Sequence, residues 1–348
     1  MRNCGTWVAQ TLNSIQLAVF GLLVLASAPA LAAQNTAPLT QRLELPMHYR
    51  FINGTARLWV SISIGGGTAV EALLDTGSVG LLALSTAIPD TGDLPDLGAF
   101  QTSFGSGDTL IGRQTHAEVS LGDASADMPF AVITATDCIA QRPDCAANKM
   151  SFDDYRIANE GIVGEGFKAI LGIGPGRSTA GHPLASIGVS RWIVIIPIPG
   201  RQDVGKLILN PDDSELAGFR MLDASIAFSG PQGIVGGAFP GCLIVRSTGE
   251  RVCGPLCLDS GAAGLAFRTP DKRQFKRVQA GAQFTFQFGE EEDKLGFDID
   301  IPPVGFTLLP DEPDPKSPRQ ILFAGIRPYL FYEVLYDSDN AQVGLKPR

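Results

Sequence analysis

The chain states one six-residue pattern twice. Leu73-Leu74-Asp75-Thr76-Gly77-Ser78 and Cys257-Leu258-Asp259-Ser260-Gly261-Ala262 both run apolar, apolar, Asp, hydroxyl, Gly, small, and they lie 184 residues apart. An Asp-Ser/Thr-Gly triplet arises by chance on the order of once in several chains of this size. A third triplet, Asp90-Thr91-Gly92, sits among turn residues after Ile88-Pro89, with no apolar strand delivering it. The other two each follow an apolar run, and each has a second echo downstream: Ile170-Leu171-Gly172 in the first half and Phe323-Ala324-Gly325 in the second. A duplicated lobe accounts for both echoes. A carboxylate at the end of a buried strand is costly unless it is hydrogen-bonded or paired, which points to chemistry at Asp75 and Asp259. The glycine after each hydroxyl residue lets the backbone turn sharply and bring its N–H to the carboxylate.

The rest of the chain supports a β fold. With Gly 40 and Pro 24 among 348 residues, breakers are too frequent for long helices, and 45% hydrophobic with 18% charged residues excludes disorder and collagen. Leu58, Val60, Ile62 and Ile64 alternate, Gly65-Gly66-Gly67 turns the chain, and Val70 to Leu74 returns as a hairpin partner. Val119 to Leu121 and Met128 to Thr134 flank a Gly122-Asp123 turn. Trp192 to Ile198 is a β-branched run, and Phe284, Phe286, Phe288 and then Leu295, Phe297, Ile299, Ile301 alternate, with the charged run Glu290 to Lys294 as the solvated tip between them. Residues 302–318 hold six prolines and predict a surface loop rather than a paired central strand. The chain is expected to close with a strand over Tyr329 to Tyr336, a turn at Asp337 to Asn340, and Val343 to Leu345.

Residues 1–32 predict an export signal: Arg2, an apolar run from Ile15 to Ala26 too short to span a membrane, and Ala30-Leu31-Ala32 with small-x-small spacing. The expected organisation is a signal peptide over 1–32, an N-terminal lobe over 33–200 and a C-terminal lobe over 201–348. The destination is periplasmic or secreted, with no membrane association after cleavage. The net charge of -9 would repel phosphate backbones and excludes nucleic acid as a partner. Export permits disulfides. Cys138 and Cys145 bracket a polar loop and form a local bridge. A hairpin turning at Thr248-Gly249 puts Cys242, Cys253 and Cys257 on one face, and one of these three stays unpaired, with spacing leaving open which.

If the lobes pack about a pseudo-twofold axis, Asp75 and Asp259 meet and share one proton. The ionised member can act as general base on a water held between them while the protonated member polarises a carbonyl oxygen, which is the chemistry of direct amide hydrolysis.

These residues resemble the pepsin-like aspartic proteases, from about Leu58 to Pro347. Beyond the two Asp motifs, Phe104-Gly105-Ser106-Gly107 looks like the tip of that family's flap hairpin, Ile170-Leu171-Gly172 like the loop behind its first Asp, and Gly325, Asp337, Asn340 and Val343-Gly344-Leu345 like its closing strand pair. The resemblance implies an all-β, two-lobed pepsin-like fold with pseudo-twofold symmetry and a cleft between lobes. It also implies an aspartic endopeptidase acting on protein or peptide substrates as a monomer, without cofactor or metal. By carry-over, Asp75 and Asp259 are the catalytic pair. Thr76 and Ser260 lock the two loops together, while Gly77, Ser78, Phe104, Gly105, Ser106 and Gly261 support or contact substrate.

Three departures stand out. Phe104 replaces the flap tyrosine and Leu82 its tryptophan partner, so both polar ends are lost together. Losing one alone would strand a buried polar group at about 1–3 kcal/mol, whereas losing both can be near neutral. Ala262 stands opposite Ser78 without a hydroxyl, which should raise the share of Asp259 in the apparent pKa of the pair. Only about 42 residues separate the expected cleavage site from Asp75, so a long inhibitory pro-segment is not expected. The alternative reading is a catalytically silent pepsin-fold binding or inhibitor protein.

Other constellations carry little. His48, His116 and His182 have no metal-ligand spacing, and no Gly-x-Ser-x-Gly elbow accompanies them. Gly172-Ile173-Gly174-Pro175-Gly176 lacks the last glycine of a dinucleotide loop, with Arg177 in its place, and predicts a turn. Asn53-Gly54-Thr55 fits a glycosylation acceptor.

Overall fold

A computed structural model describes residues 38–178, 180–198, 200–201, 204–230, 233–262, 264–271, 283–289, 295–300, 306–309 and 318–348. The first half builds β1 (Leu43–Ile52), β2 (Thr55–Ile64), β3 (Val70–Asp75), β4 (Val79–Leu84), β5 (Ala99–Ser103), β6 (Asp108–Leu121), β7 (Ala124–Cys138), β8 (Ala169–Ile173) and the short β9 (Gly176–Ser178). There follow β10 (Arg191–Ile195), β11 (Gly205–Leu209), β12 (Arg220–Asp223), β13 (Ile226–Gly230), β14 (Gly233–Val245), β15 (Arg251–Cys257), β16 (Leu265–Arg268), β17 (Gln283–Phe288), β18 (Leu295–Asp300), β19 (Phe306–Leu309) and β20 (Ile321–Phe323). Strands β21 (Tyr332–Asp337) and β22 (Gln342–Pro347) close the chain. Among the described residues, α-helix is confined to two four-residue turns, Pro183–Ser186 and Asp213–Leu216.

The fold is all-β and two-lobed. One thirteen-stranded sheet runs β12-β22-β21-β10-β11-β1-β2-β3-β8-β4-β7-β6-β5, and a nine-stranded sheet runs β18-β17-β14-β15-β20-β16-β19, with β13 and β9 paired to β14. The closing strands β21 and β22 therefore return to the sheet that carries Asp75 rather than the one that carries Asp259.

The sequence echo is a topological echo. Strand β3 pairs parallel with β8, β8 antiparallel with β4, and β4 parallel with β7. In the same order β15 pairs parallel with β20, β20 antiparallel with β16, and β16 parallel with β19. The apolar run Val79–Leu84 is buried along its whole length because both faces of β4 are covered. Leu81 and Ala83 join one core, Leu82 and Leu84 another. Strand β2 instead alternates: Leu58, Val60, Ile62 and Ile64 enter the main core, which sends Arg57 and Trp59 to the opposite face.

Two expectations are corrected. The Pro-rich stretch 302–318 is not loop throughout, because Phe306–Leu309 pairs with β16 at the end of the second sheet. Prolines flank this piece without entering it, so its backbone N–H groups remain free to pair. Tyr329 does not lie in the closing strand: Arg327–Leu330 is a 3-10 turn and the strand begins at Tyr332. Pro328 at its start has no N–H to give to a ladder, which suits the first turn of a helix. The expected signal segment 1–32 and the tip Glu290 to Lys294 lie outside the described residues.

Disulfides join Cys138 to Cys145 and Cys242 to Cys253, leaving Cys257 as a buried free thiol. Cys242 and Cys253 face each other directly across the β14–β15 hairpin, which decides the pairing that spacing left open. Among the described residues no helix is long and apolar enough to cross a membrane.

Candidate active site

Asp75 ends β3 and Asp259 follows β15, so two equivalent strands deliver the two acids to one point. The loops after them are tied in a reciprocal lock. Thr76 N–H donates to Ser260 Oγ at 3.0 Å, and Ser260 N–H donates to Thr76 Oγ1 at 2.9 Å. Each hydroxyl then donates to the carbonyl ahead of the other lobe's Asp: Thr76 to Leu258 at 2.9 Å and Ser260 to Leu74 at 2.8 Å. Both hydroxyl residues are only 1% exposed, so neither loop can move without stranding buried polar groups.

The glycines show how close the acids are. A Cβ on Gly77 would lie 2.6 Å from Asp259 Oδ1, and a Cβ on Gly261 would lie 2.6 Å from Asp75 Oδ1. Each carboxylate thus rests on the other lobe's glycine, and the two acids lie close enough to influence each other's titration.

Their surroundings differ. Asp75 is 6% exposed, and its carboxylate accepts Gly77 N–H at 2.8 Å and Ser78 Oγ–H at 2.6 Å. Asp259 keeps part of its surface open and accepts Ala262 N–H at 3.0 Å, with no hydroxyl in the place of Ser78. Burial raises both pKa values. At Asp75 this is opposed by Ser78, Gly77, the neighbouring Asp259 and the charge of Arg57. At Asp259 burial and the negative charge of Asp75 act together and push the carboxyl up to about 8. These surroundings favour the proton on Asp259 and the charge on Asp75.

Residues that the repeat and the flap pattern did not reveal surround the acids. Thr76 Oγ1 lies 2.7 Å from the Tyr329 hydroxyl, which lies 2.6 Å from that of Tyr336. This buried chain anchors the lock to the closing strand, and Trp192 stacks on Tyr336. The Arg57 guanidinium donates to the Gly261 carbonyl and to Glu160. The thiol of Cys257 is buried two residues before Asp259, and burial holds it protonated, well above the ordinary range.

The flap residues sit on a hairpin of their own. Phe104 to Gly107 joins β5 to β6, closed by Phe104 N–H to the Asp108 carbonyl and Gly107 N–H to the Phe104 carbonyl. Gly105 approaches the second sheet, where a Cβ on it would stand 3.3 Å from Leu309 Cδ2. Phe104 packs on the apolar cluster that contains Leu73 and Leu82, so the two apolar replacements belong to one dry core. The Ser106 hydroxyl is turned back onto Asp108 at 2.8 Å. Asp75, Thr76, Gly77, Ser78, Asp259, Ser260 and Gly261 thus form one cluster, whereas Phe104, Gly105 and Ser106 stand apart from it on the hairpin. Asp90-Thr91-Gly92 lies on the surface, with Thr91 opening a 3-10 turn.

Residues 44–228 match the family model described as the PE-PGRS C-terminal aspartyl peptidase-like domain. The chain belongs to this family. No curated protein matches it. The matched stretch of this aspartyl peptidase-like domain holds Asp75 with its loop, Arg57 and the β5–β6 hairpin, and ends before Asp259. The second acid enters through the duplicated topology and the hydrogen bonds that link the loops.

Proposed function

We propose that the protein is a pepsin-like aspartic endopeptidase in which Asp75 and Asp259 activate one water. The observation that carries this reading is the close approach of two carboxyl groups of unequal acidity, held by the Thr76–Ser260 lock. Asp75, the ionised member, takes a proton from water as its oxygen attacks the scissile carbonyl. Asp259 donates its proton to the carbonyl oxygen, giving a neutral gem-diol. The proton held by Asp75 then passes to the departing amine, and a diol proton returns to Asp259 as the C–N bond breaks. An extended peptide would lie between the two sheets under the β5–β6 hairpin, with Phe104 favouring apolar side chains. Both acids come from one chain, so a monomer suffices. Two disulfides suit export of the protein.

The test is incubation of the mature protein with a denatured protein mixture across pH 3–8, with and without a statine-type inhibitor, beside Asp75→Asn. Inhibitor-sensitive cleavage that the variant lacks is the expected result. Tight inhibitor binding without cleavage by the parent would reassign the protein as a peptide-binding member of the fold.

A further inference from the structure

Arg57 is a cation built into the site, and beyond its charge near Asp75 the two-acid mechanism leaves its hydrogen-bonding edge unused. Alternation along β2 turns it away from the main core, and its side chain is only 14% exposed. One terminal nitrogen, Nη1, donates to the carbonyl of Gly261, the residue against which Asp75 packs, and the charge reaches Asp75 itself. Nη2 donates to a single oxygen of Glu160, and Nε is buried without a hydrogen-bond partner. Nε and Nη2 are the two donors of one edge of the guanidinium fork, the edge that matches both oxygens of a carboxylate. Here that edge is half filled.

Glu160 has the character of a displaceable occupant. It is exposed on the segment 158–166, in which Ala158 and Glu160 adopt left-handed backbone (φ 56° and 52°) and Gly161, Gly164 and Gly166 also have positive φ. The segment is held at its base by paired backbone hydrogen bonds between Ile157 and Phe167, at 2.8 and 2.9 Å, while Ile162 and Val163 stand out in solvent at its tip. Left-handed backbone is unfavourable at non-glycine residues, and this segment holds two of them, Ala158 and Glu160.

We propose that Arg57 is a specificity-determining residue that binds a carboxylate of the peptide substrate close to the scissile bond, and that Glu160 fills the place of this carboxylate until substrate arrives. The incoming group, a Glu or Asp side chain or a chain-terminal carboxylate, takes both Nε and Nη2, whereas Glu160 takes only Nη2. The inference rests on the peptidase reading, because it needs a peptide lying over Asp75 and Asp259. A buried guanidinium discriminates strongly against a neutral isostere, because the neutral group leaves its donors unpaired.

Paired peptides test it: one scissile bond, with Glu or Gln placed in turn at each flanking position. kcat/KM is measured for the parent, Arg57→Gln and Glu160→Gln. The parent is expected to favour Glu over Gln by about tenfold or more at one position. Arg57→Gln brings this ratio close to one, and Glu160→Gln raises it, because the competitor has lost its charge. Absence of a preference in the parent, or an unchanged ratio in Arg57→Gln, overturns the proposal. Should Arg57→Gln fail to fold, Glu160→Gln on its exposed segment decides, and an unchanged ratio there also overturns it. The same pairs with a reduced, uncleavable bond are titrated by calorimetry. A Glu preference in binding without turnover sustains the role of Arg57 while removing the peptidase reading. Turnover without preference does the reverse, and binding of neither peptide removes both.

Discussion

The loops around Asp75 and Asp259 share a backbone and differ by one hydroxyl. In each, a glycine lies under the opposite acid and a backbone N–H binds the carboxylate. In the first loop Ser78 adds a 2.6 Å hydrogen bond that favours the charged form, and Arg57 adds a positive charge. In the second, Ala262 supplies only its N–H, and the neighbouring charge is the negative one of Asp75. Duplication supplies the symmetry that brings two acids together, and Ser78 and Arg57 break it, favouring the charge on Asp75 and the proton on Asp259. The rest of each lobe diverges more: β6 and β7 form a long hairpin of 14 and 15 residues, whereas β19, which takes the place of β7 beside β16, has four.

The strongest way to break the comparison is to remove either acid. Asp75→Asn and Asp259→Asn should each lower kcat by at least about 10³-fold, since each member of a catalytic unit is needed for its whole effect. Single-turnover cleavage of a fluorogenic peptide measures this. An effect confined to one of the two would show that they do not work as a pair.

Next comes the lock. Thr76→Ala deletes the donor to Leu258, the acceptor for Ser260 N–H and the partner of Tyr329. It should cost about 2–4 kcal/mol by urea unfolding, the range for a buried network that loses one member. Ser260→Ala, which lacks the link to a tyrosine, should cost less. Equal and small losses would mean that the loops are held by packing instead.

The β5–β6 hairpin is braced covalently. The Gly107 carbonyl accepts Ile139 N–H at 2.9 Å and Asp108 accepts Ala147 N–H at 2.9 Å, so the loop closed by Cys138–Cys145 holds the hairpin tip. Replacing both cysteines by serine should raise KM roughly three- to tenfold with less effect on kcat, as expected when a covering element loosens. A fall in kcat with unchanged KM would place the role of the brace elsewhere.

The smallest effect sharpens the comparison. Ala262→Ser gives Asp259 the hydroxyl that Asp75 has. A donor favours the ionised form, so the raised pKa of Asp259 falls. The basic limb of the pH–kcat profile, where Asp259 loses the proton it must donate, moves to lower pH by about one unit. An unmoved limb would assign that ionisation to another group.

Much of this was legible in residue order, because the pattern around each Asp is local and occurs twice. The β character and the closing strand pair follow from period-two alternation and turn residues, and the mutual lock of Thr76 and Ser260 from the family resemblance of the repeated motif. Strand β19 was hidden by the prolines around Phe306–Leu309, although the duplicated order of strands calls for a partner beside β16. Tyr329 and Tyr336 lie 253 and 260 positions from Thr76, so no local pattern could tie them to it. Arg57 and Glu160 are single charges on a strand and a surface segment, and nothing in residue order distinguishes them from solvated ones. The pairing of Cys242 with Cys253 needed the β14–β15 register, in which they stand opposite each other.

The central claim is that Asp75 and Asp259 titrate as one coupled, unequal pair. Carboxyl-carbon NMR of protein labelled at aspartate, titrated from pH 3 to 10 in the parent and in Asp75→Asn, tests it most directly. The account predicts one aspartate in the parent titrating far above the ordinary range, near the value of about 8 reached by Asp259, and moving down once the Asp75 charge is removed. An Asp259 resonance that titrates in the ordinary carboxylate range, or one that ignores the loss of Asp75, would contradict it.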